Sequence, residues 1–147
     1  ENFLGYKKSI GKNRLFMQSF KVQKMRNVKF RKLVFDVILF NYDENTVFVK
    51  RIIGLPGETV RIDQSGNIYI NEEILEEDYG YETILPTNIG RASQPVVLGD
   101  DEYFVLGDNR NNSTDSRWSS VGNVSKDKII GKAILRFYPI SKFGFVK

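Results

Sequence analysis

The stretch that decides the fold is VFVKRII, residues 47–53. Its β-branched and aromatic residues are typical of a buried β-strand. Because successive side chains of a strand point to opposite faces, we expect Phe48, Lys50 and Ile52 to share one face. Loss of water around a lysine between two apolar neighbours disfavours the ammonium and lowers its pKa, so Lys50 is a candidate base. The alternative is an edge position from which the amine of Lys50 reaches water.

Similar strand patterns recur on both sides of this stretch, whereas no long segment repeats apolar residues at helical spacing. We therefore expect a mainly β fold. The predicted strands are Phe20–Lys24, Phe35–Phe40, Thr46–Ile53, Thr59–Asp63, Ile68–Ile70, Glu102–Leu106 and Ile129–Tyr138. Between Asn71 and Gly99 the strand pattern weakens and the composition becomes acidic, then polar with two prolines. This part is expected to be a loop or an inserted region.

The chain has 147 residues, which is enough for one domain and short for two independent cores. We therefore expect a single functional unit over residues 1–147, with an inserted region at about residues 64–100. No apolar run is long enough to span a bilayer. The first residue, Glu1, is not an initiator methionine, so a targeting or anchoring segment can precede it.

The sequence contains neither histidine nor cysteine. This absence excludes a Ser-His-Asp triad, a Cys-His dyad and the usual zinc sites that contain histidine. A hydrolase built from this chain needs another base, either a carboxylate pair or a lysine with a lowered pKa. Nucleotide-binding and calcium-binding motifs are also missing, so we expect neither a cofactor nor a metal.

Charge is unevenly distributed along the chain, although the net charge is only +4. Residues 1–35 contain ten basic side chains and one acidic side chain, whereas residues 58–82 contain eight acidic side chains and one basic side chain. Both runs are typical of solvated surfaces, and contact of the basic region with anionic lipid headgroups is the second interpretation. A nucleic-acid groove would rarely carry such an acidic run, so no nucleic-acid partner is expected.

A second informative stretch is GDNRNNSTDSR, residues 107–117, which directly follows a predicted strand. In an extended backbone Ser113, Asp115 and Arg117 would share a face, and their hydroxyl, carboxylate and guanidinium could form one hydrogen-bonded cluster. Such a cluster can orient a base. Alone, the run of Asp and Asn residues is equally typical of a surface turn.

Three stretches together resemble the signature boxes of type I signal peptidases, most closely those of Gram-positive bacteria. They are VKRIIGLPGE at residues 49–58, GDNR followed by STDSR within residues 107–117, and IIGKA at residues 129–133. The resemblance implies a coiled β-sheet or partly closed barrel core. It also implies a small inserted region between the box that contains the lysine and the box that begins with GDNR.

The resemblance also implies roles for individual residues. Lys50 matches the general base of a serine endopeptidase with a Ser/Lys dyad. Ser113 matches the residue that positions the lysine amine, and Asp115 and Arg117 match a supporting salt bridge. No cofactor or metal takes part in this chemistry.

The nucleophile of the family lies in a Ser-Met-x-Pro-Thr box, and no such string occurs in this sequence. An ungapped alignment places SIGKN, residues 9–13, on that box, so that Ser9 matches the nucleophile, 41 residues before Lys50. Lys12 and Asn13 depart from the Pro and Thr of the family, and Lys7 stands where a small residue is expected. Ser19 is the competing serine, and a degenerate site is the remaining alternative.

The activity implied by the resemblance is removal of N-terminal signal peptides from translocated preproteins, with cleavage after small side chains. The expected partners are preprotein signal peptides and a lipid membrane surface, at the extracytoplasmic face of the cell membrane, with an anchor before Glu1. Two alternatives remain. One is a catalytically weakened relative that serves as a binding or assembly factor in secretion or pilus biogenesis. The other is a basic nucleic-acid-binding β-domain, whose aromatic and basic residues do not form a recognisable module.

Overall fold

The chain folds into β-strands that belong to two sheets. The computed structural model describes the backbone of residues 2–10, 14–24, 34–138, 141 and 143–146, and the side chains of residues 34–136, 141 and 143–146. The strands in this part of the chain are β1 (Asn2–Ile10), β2 (Arg14–Lys24), β3 (Val37–Asn41), β4 (Val47–Gly54), β5 (Thr59–Ile62), β6 (Ile68–Ile70), β7 (Glu73–Ile74), β8 (Val96–Val97), β9 (Glu102–Leu106), β10 (Val124–Ser125), β11 (Ile129–Tyr138) and β12 (Gly144–Phe145). The prediction of a mainly β fold is confirmed.

The larger sheet has the strand order β1-β2-β11-β3-β4-β9-β10, and β12 pairs with β11. All of these pairs are antiparallel. The smaller sheet has the order β7-β6-β5-β8. Both sheets are open along the described strands, and β4 lies in the interior of the larger sheet, between β3 and β9.

The larger sheet is strongly coiled. Cα atoms of β1 and β4 approach within 8 Å of each other, although β2, β11 and β3 separate the two strands in the sheet order. In a flat sheet, four strand spacings would hold them about 19 Å apart. The coiling implied by the resemblance is therefore present, and it brings the first strand close to the strand that contains Lys50.

Three strands, β6, β9 and β11, have the bounds that the sequence predicted. The strand predicted at Phe20–Lys24 begins earlier, at Arg14, because residues 14–22 pair with β1. The strands β1, β7, β8, β10 and β12 were not predicted. Four of these five have only two residues, and β1 lies at one end of the sheet, so their extended backbone follows from pairing with a neighbour rather than from a local pattern.

Apolar side chains cover both faces of β3 and β4. On one face Ile38, Phe40, Phe48 and Ile52 pack with residues of β9, and on the other face Val37, Leu39 and Val49 pack with Ala133 of β11. Burial on both faces explains why these strands are nearly continuous apolar runs. A charged residue within such a strand has no solvated face to occupy.

The two sheets meet at Gly54, the last residue of β4. A Cβ atom at this position would lie 2.5 Å from Cγ2 of Val60 and 2.9 Å from Cδ1 of Leu98. Both neighbours belong to the apolar cluster that joins the small sheet to β4 and β9. The absence of a side chain at Gly54 therefore allows the small sheet to pack directly against the large one.

The described helices are 3₁₀ turns of three or four residues. None of them has the length and apolar character needed to cross a membrane.

We expect Gly54→Ala to lower the free energy of unfolding by about 1–3 kcal/mol, because the added methyl group overpacks a filled junction. Chemical denaturation measures this change. Gly99→Ala is the matched control, since a Cβ there would first meet the flexible side chain of Glu102, at 3.4 Å. Equal losses for the two variants would contradict the role given to Gly54.

Candidate active site

Lys50 is buried in the interior of the larger sheet, with 4% of its surface exposed. It lies opposite Ile38 of β3, and its Nζ is 5.4 Å from the centre of the Phe48 ring. The apolar surroundings predicted for Lys50 are confirmed. The alternative, a position at a sheet edge, is wrong because β4 is flanked by strands on both sides.

The amine of Lys50 meets the hydroxyl of Ser113. Nζ donates a hydrogen bond to Oγ of Ser113 over 2.7 Å, although the two residues are 63 positions apart. Ser113 has an extended backbone directly after the 3₁₀ turn Arg110–Asn112. A Cβ at Gly107 would lie 2.2 Å from Oγ of Ser113 and 3.5 Å from Nζ of Lys50. Gly107 therefore leaves the space in which the two groups meet.

Asp115 and Arg117 form a fully buried ion pair. The guanidinium of Arg117 donates from Nε to Oδ1 and from Nη2 to Oδ2 of Asp115, each over 2.8 Å. Oδ2 of Asp115 also accepts a bond from the backbone N–H of Gly107, and Arg117 donates to the carbonyls of Arg110 and Asn88. The run of Asp and Asn residues before this pair does form a bend and a 3₁₀ turn, in which Asn109 and Asn112 are exposed. The pair itself is buried behind that turn.

The predicted cluster is thus divided between two neighbouring sets of contacts. Asp115 and Arg117 bind each other, whereas the hydroxyl of Ser113 binds Lys50. The two sets are connected through Gly107, whose N–H binds Asp115 and whose Cα lies against Ser113. Ser113 has an extended backbone, but residues 115–117 form a bend and a turn, so the three side chains do not lie in a row along one extended face.

A second ion pair, which the sequence analysis missed, fixes the other end of the same loop. Arg51 donates from Nε and Nη2 to the two carboxylate oxygens of Asp108, over 2.8 and 2.7 Å. Nη1 of Arg51 donates to the carbonyl of Phe35, and the Tyr79 ring centre lies 4.0 Å from Cζ. Arg51 directly follows Lys50, and Asp108 directly follows Gly107. The opposite charges of these two neighbours could have predicted the ion pair from the sequence.

Trp118 also contacts the loop. Its indole N–H donates a hydrogen bond to the carbonyl of Ser113 over 3.1 Å, and its backbone N–H donates to the carbonyl of Asp115. Ser113 is therefore fixed at its backbone as well as at its hydroxyl. Trp118 follows the motif directly, but the sequence carries no signal that its side chain folds back on Ser113.

Tyr103 of β9 packs in the same apolar cluster as Phe48 and Ile52. Burial, with a smaller contribution from the charge of Asp101, raises the pKa of Tyr103 to about 12. Its phenol therefore remains neutral near pH 7 and does not provide a base. Among the described residues, no three His, Cys, Asp or Glu side chains are grouped so that they could hold a metal ion.

The candidate nucleophile, Ser9, lies in β1 opposite Leu15 of β2. β1 contacts β4, the strand that contains Lys50. The side chain of Ser9 lies outside the described part of the chain, and so do Lys12 and Asn13. The competing Ser19 lies in β2, opposite Gly5 of β1.

Comparison with known proteins gives consistent matches. The family model described as "Signal peptidase, peptidase S26" matches residues 9–138. The probable signal peptidase I-2 of Synechocystis sp. is 39% identical over 118 residues, which are 76% of this chain and 50% of that protein. Signal peptidase I S of Bacillus subtilis is also 39% identical over 118 residues, which are 73% of this chain and 60% of that protein.

A solved structure is also similar. The crystal structure of a signal peptidase I from Enterococcus faecalis V583 superposes with a TM-score of 0.53 at 33% sequence identity, covering 76% of this chain and 96% of that one. The chain therefore spans 50–60% of the length of the two curated relatives above, and nearly the whole of the solved chain.

We expect Asp115→Asn to lower the free energy of unfolding by about 3 kcal/mol or more, because it leaves the buried guanidinium of Arg117 without a counter-charge. Glu72→Gln is the matched control. It removes one charge from the exposed Arg61–Glu72 pair and should cost less than about 1 kcal/mol. Urea titration of both variants measures the difference, and a small loss for Asp115→Asn would contradict the structural role of the pair.

Proposed function

The chain belongs to the signal peptidase family, peptidase S26, and we propose that it is a serine endopeptidase that removes N-terminal signal peptides from translocated preproteins. The observation that supports this proposal most directly is the buried Lys50 with its amine bonded to Ser113. Burial disfavours the ammonium form of a lysine and so favours the neutral amine that a general base requires. In a sequence without histidine, a lysine is the natural candidate for this role.

In the proposed mechanism, the neutral amine of Lys50 takes the hydroxyl proton of Ser9, and the Ser9 oxygen attacks the scissile carbonyl carbon. The tetrahedral intermediate collapses when Lys50 gives that proton to the leaving amine, which breaks the peptide bond and leaves an acyl ester on Ser9. Lys50 then removes a proton from water, whose oxygen attacks the ester carbonyl carbon, and Lys50 returns that proton to the Ser9 oxygen as the ester bond breaks. The signal peptide leaves with a free carboxyl group, and Ser9 and Lys50 regain their starting forms. The backbone N–H of Ser9 is a candidate donor to the developing oxyanion.

Ser113 is proposed to hold the amine of Lys50 in place during these transfers. Its oxygen accepts a bond from Nζ, which restricts rotation of the long lysine side chain. Asp115 and Arg117 act one step further away, because they fix Gly107 and the backbone on both sides of Ser113. The pair therefore supports the base without touching the substrate.

Ser9 is proposed as the nucleophile on two grounds. It precedes Lys50 by 41 residues, and an ungapped alignment matches it to the family's serine. It also lies in β1, which contacts β4. Cleavage after small side chains remains an expectation from the family.

We also propose that residues 1–147 act as a single catalytic domain, with residues of about 64–100 as an inserted region. The basic residues between positions 1 and 35 would face anionic lipid headgroups at the extracytoplasmic face of a membrane. A preprotein signal peptide would be the macromolecular partner. Nucleic acid is not proposed as a partner, because the acidic run between residues 58 and 82 would repel it.

A second candidate function is motivated by the serine box. SIGKN at residues 9–13 departs from the Ser-Met-x-Pro-Thr pattern of the family at Lys12 and Asn13. The alternative is a catalytically weakened protein that binds preproteins or pilins during secretion or pilus assembly. Its signature would be binding of such a chain without turnover in detergent or lipid. The buried Lys50–Ser113 pair favours the enzyme, because a binding protein gains nothing chemical from it.

We expect Ser9→Ala and Lys50→Ala each to abolish cleavage of a signal-peptide substrate ending in Ala-x-Ala, since each removes one half of the dyad. A loss of at least about a thousandfold in kcat would be in line with other nucleophile and base deletions. Ser19→Ala is the matched control and should retain activity. Steady-state assays in detergent or lipid provide the measurement, and activity that survives Ser9→Ala would refute the assignment of the nucleophile.

A further inference from the structure

Asn111, two residues before Ser113, ties the 3₁₀ turn to a distant segment. Its Oδ1 accepts hydrogen bonds from the backbone N–H of Leu85 over 2.9 Å and from Nδ2 of Asn88 over 3.0 Å. Its Nδ2 donates to the carbonyl of Thr83 over 2.9 Å. The carbonyl and amino groups of this one side chain therefore satisfy three groups on residues 83–88. An asparagine in an ordinary surface turn would instead bond to its own neighbours or to water.

The segment that receives these bonds is itself firmly anchored. Ile84 within the segment and Ile89 directly after it have 3% and 1% of their surfaces exposed. Both belong to the apolar cluster that includes Val60 and Ile62 of the small sheet. Asn111 thus connects the loop that contains Ser113 to the core of the small sheet. The buried packing of this core holds the segment, and through it the loop, in place.

Two further contacts flank Asn111 and join the same parts of the chain. Arg110, with 2% of its surface exposed, pairs with Glu77 over 2.5 Å. The backbone N–H of Tyr81 donates to the carbonyl of Asp108 over 3.0 Å. Residues between 77 and 88 therefore contact the loop from Asp108 to Asn111, and the last of these loop residues is two positions before Ser113. The side chain of Asn111 bonds to three separate groups of this region.

We propose that Asn111 is a positioning residue that fixes the location and orientation of the Ser113 hydroxyl relative to the amine of Lys50. The inference rests on the proposed function, in which Ser113 holds Lys50. The bond between Nζ and Oγ is 2.7 Å long, and hydrogen bonds weaken quickly beyond about 3.2 Å. A shift of Ser113 by less than about 1 Å is therefore enough to break the hydrogen bond between its Oγ and Nζ of Lys50. The inserted region acts on turnover through this residue without touching the substrate.

A double-mutant cycle tests this proposal. The variants are Asn111→Ala, Ser113→Ala, the double variant, and Asn112→Ala as a control at the exposed neighbouring position. We expect Asn111→Ala to lower kcat by about tenfold to a hundredfold, with KM changed less than about twofold. Asn112→Ala should change neither. In the Ser113→Ala background, Asn111→Ala should cost less than about a further twofold, because both variants remove the same contact.

The same experiment separates failure of this inference from failure of the proposed function. An equal loss from Asn111→Ala in both backgrounds, or no loss in either, would overturn the positioning role while leaving the dyad intact. Full activity of Ser113→Ala would overturn the role of Ser113 in the proposed function, and the positioning role with it. Urea unfolding of each variant shows that it is folded, and Asn111→Asp, which keeps the size and the Oδ1 acceptor, replaces Asn111→Ala if the latter does not fold.

If the protein proves inactive, the position of Ser113 can still be tested by a measurement that does not depend on turnover. Trp118 is the one tryptophan in the sequence, and its indole N–H binds the carbonyl of Ser113. Tryptophan fluorescence therefore reports on the placement of Ser113. We expect a red-shifted emission for Asn111→Ala and an unchanged emission for Asn112→Ala. Unchanged emission for both variants in an inactive protein would overturn the proposal.

Discussion

The buried ion pair between Asp115 and Arg117 is the interaction on which the candidate site depends. Removing two charges from water is costly, and the cost is offset only when each polar atom finds a partner in a fixed geometry. Here the partners are the N–H of Gly107 and the carbonyls of Arg110 and Asn88. The pair is therefore stable only when the end of β9, the 3₁₀ turn and the segment before residue 90 are all in place. The pair makes three separate parts of the chain depend on one arrangement.

Burying a lysine in the interior of a sheet is unfavourable for stability. The proposed function gives this buried amine a role. A solvated position for the amine of Lys50 would stabilise the ammonium, which could not act as the proposed general base. Burial in general disfavours a lysine ammonium, but it leaves the long, flexible side chain of Lys50 to be directed. The hydroxyl of Ser113 supplies the direction, and Gly107 supplies the space. Locally unfavourable arrangements of this kind are typical of functional sites, where the surrounding structure holds them in place.

Much of the fold was predictable because its strands are long and apolar. β9 and β11 could be read from the sequence with their bounds, since several consecutive β-branched or aromatic residues identify a buried strand without reference to its neighbours. β1 and the two-residue strands were not predicted. Their extended backbone depends on pairing with strands elsewhere in the chain, and a local pattern carries no information about such a partner.

The sequence by itself determined the chemistry that is possible: without histidine a base has to be a lysine or a carboxylate, and the apolar neighbours of Lys50 indicated a desolvated amine. Only the tertiary structure decided which groups meet. It joins Lys50 to Ser113, Arg51 to Asp108 and Asn111 to residues 83–88. These contacts cross between 23 and 63 residues of chain. Residue types restrict what a side chain can bind, but the coiling of the sheets and the packing of the inserted region determine what comes within reach.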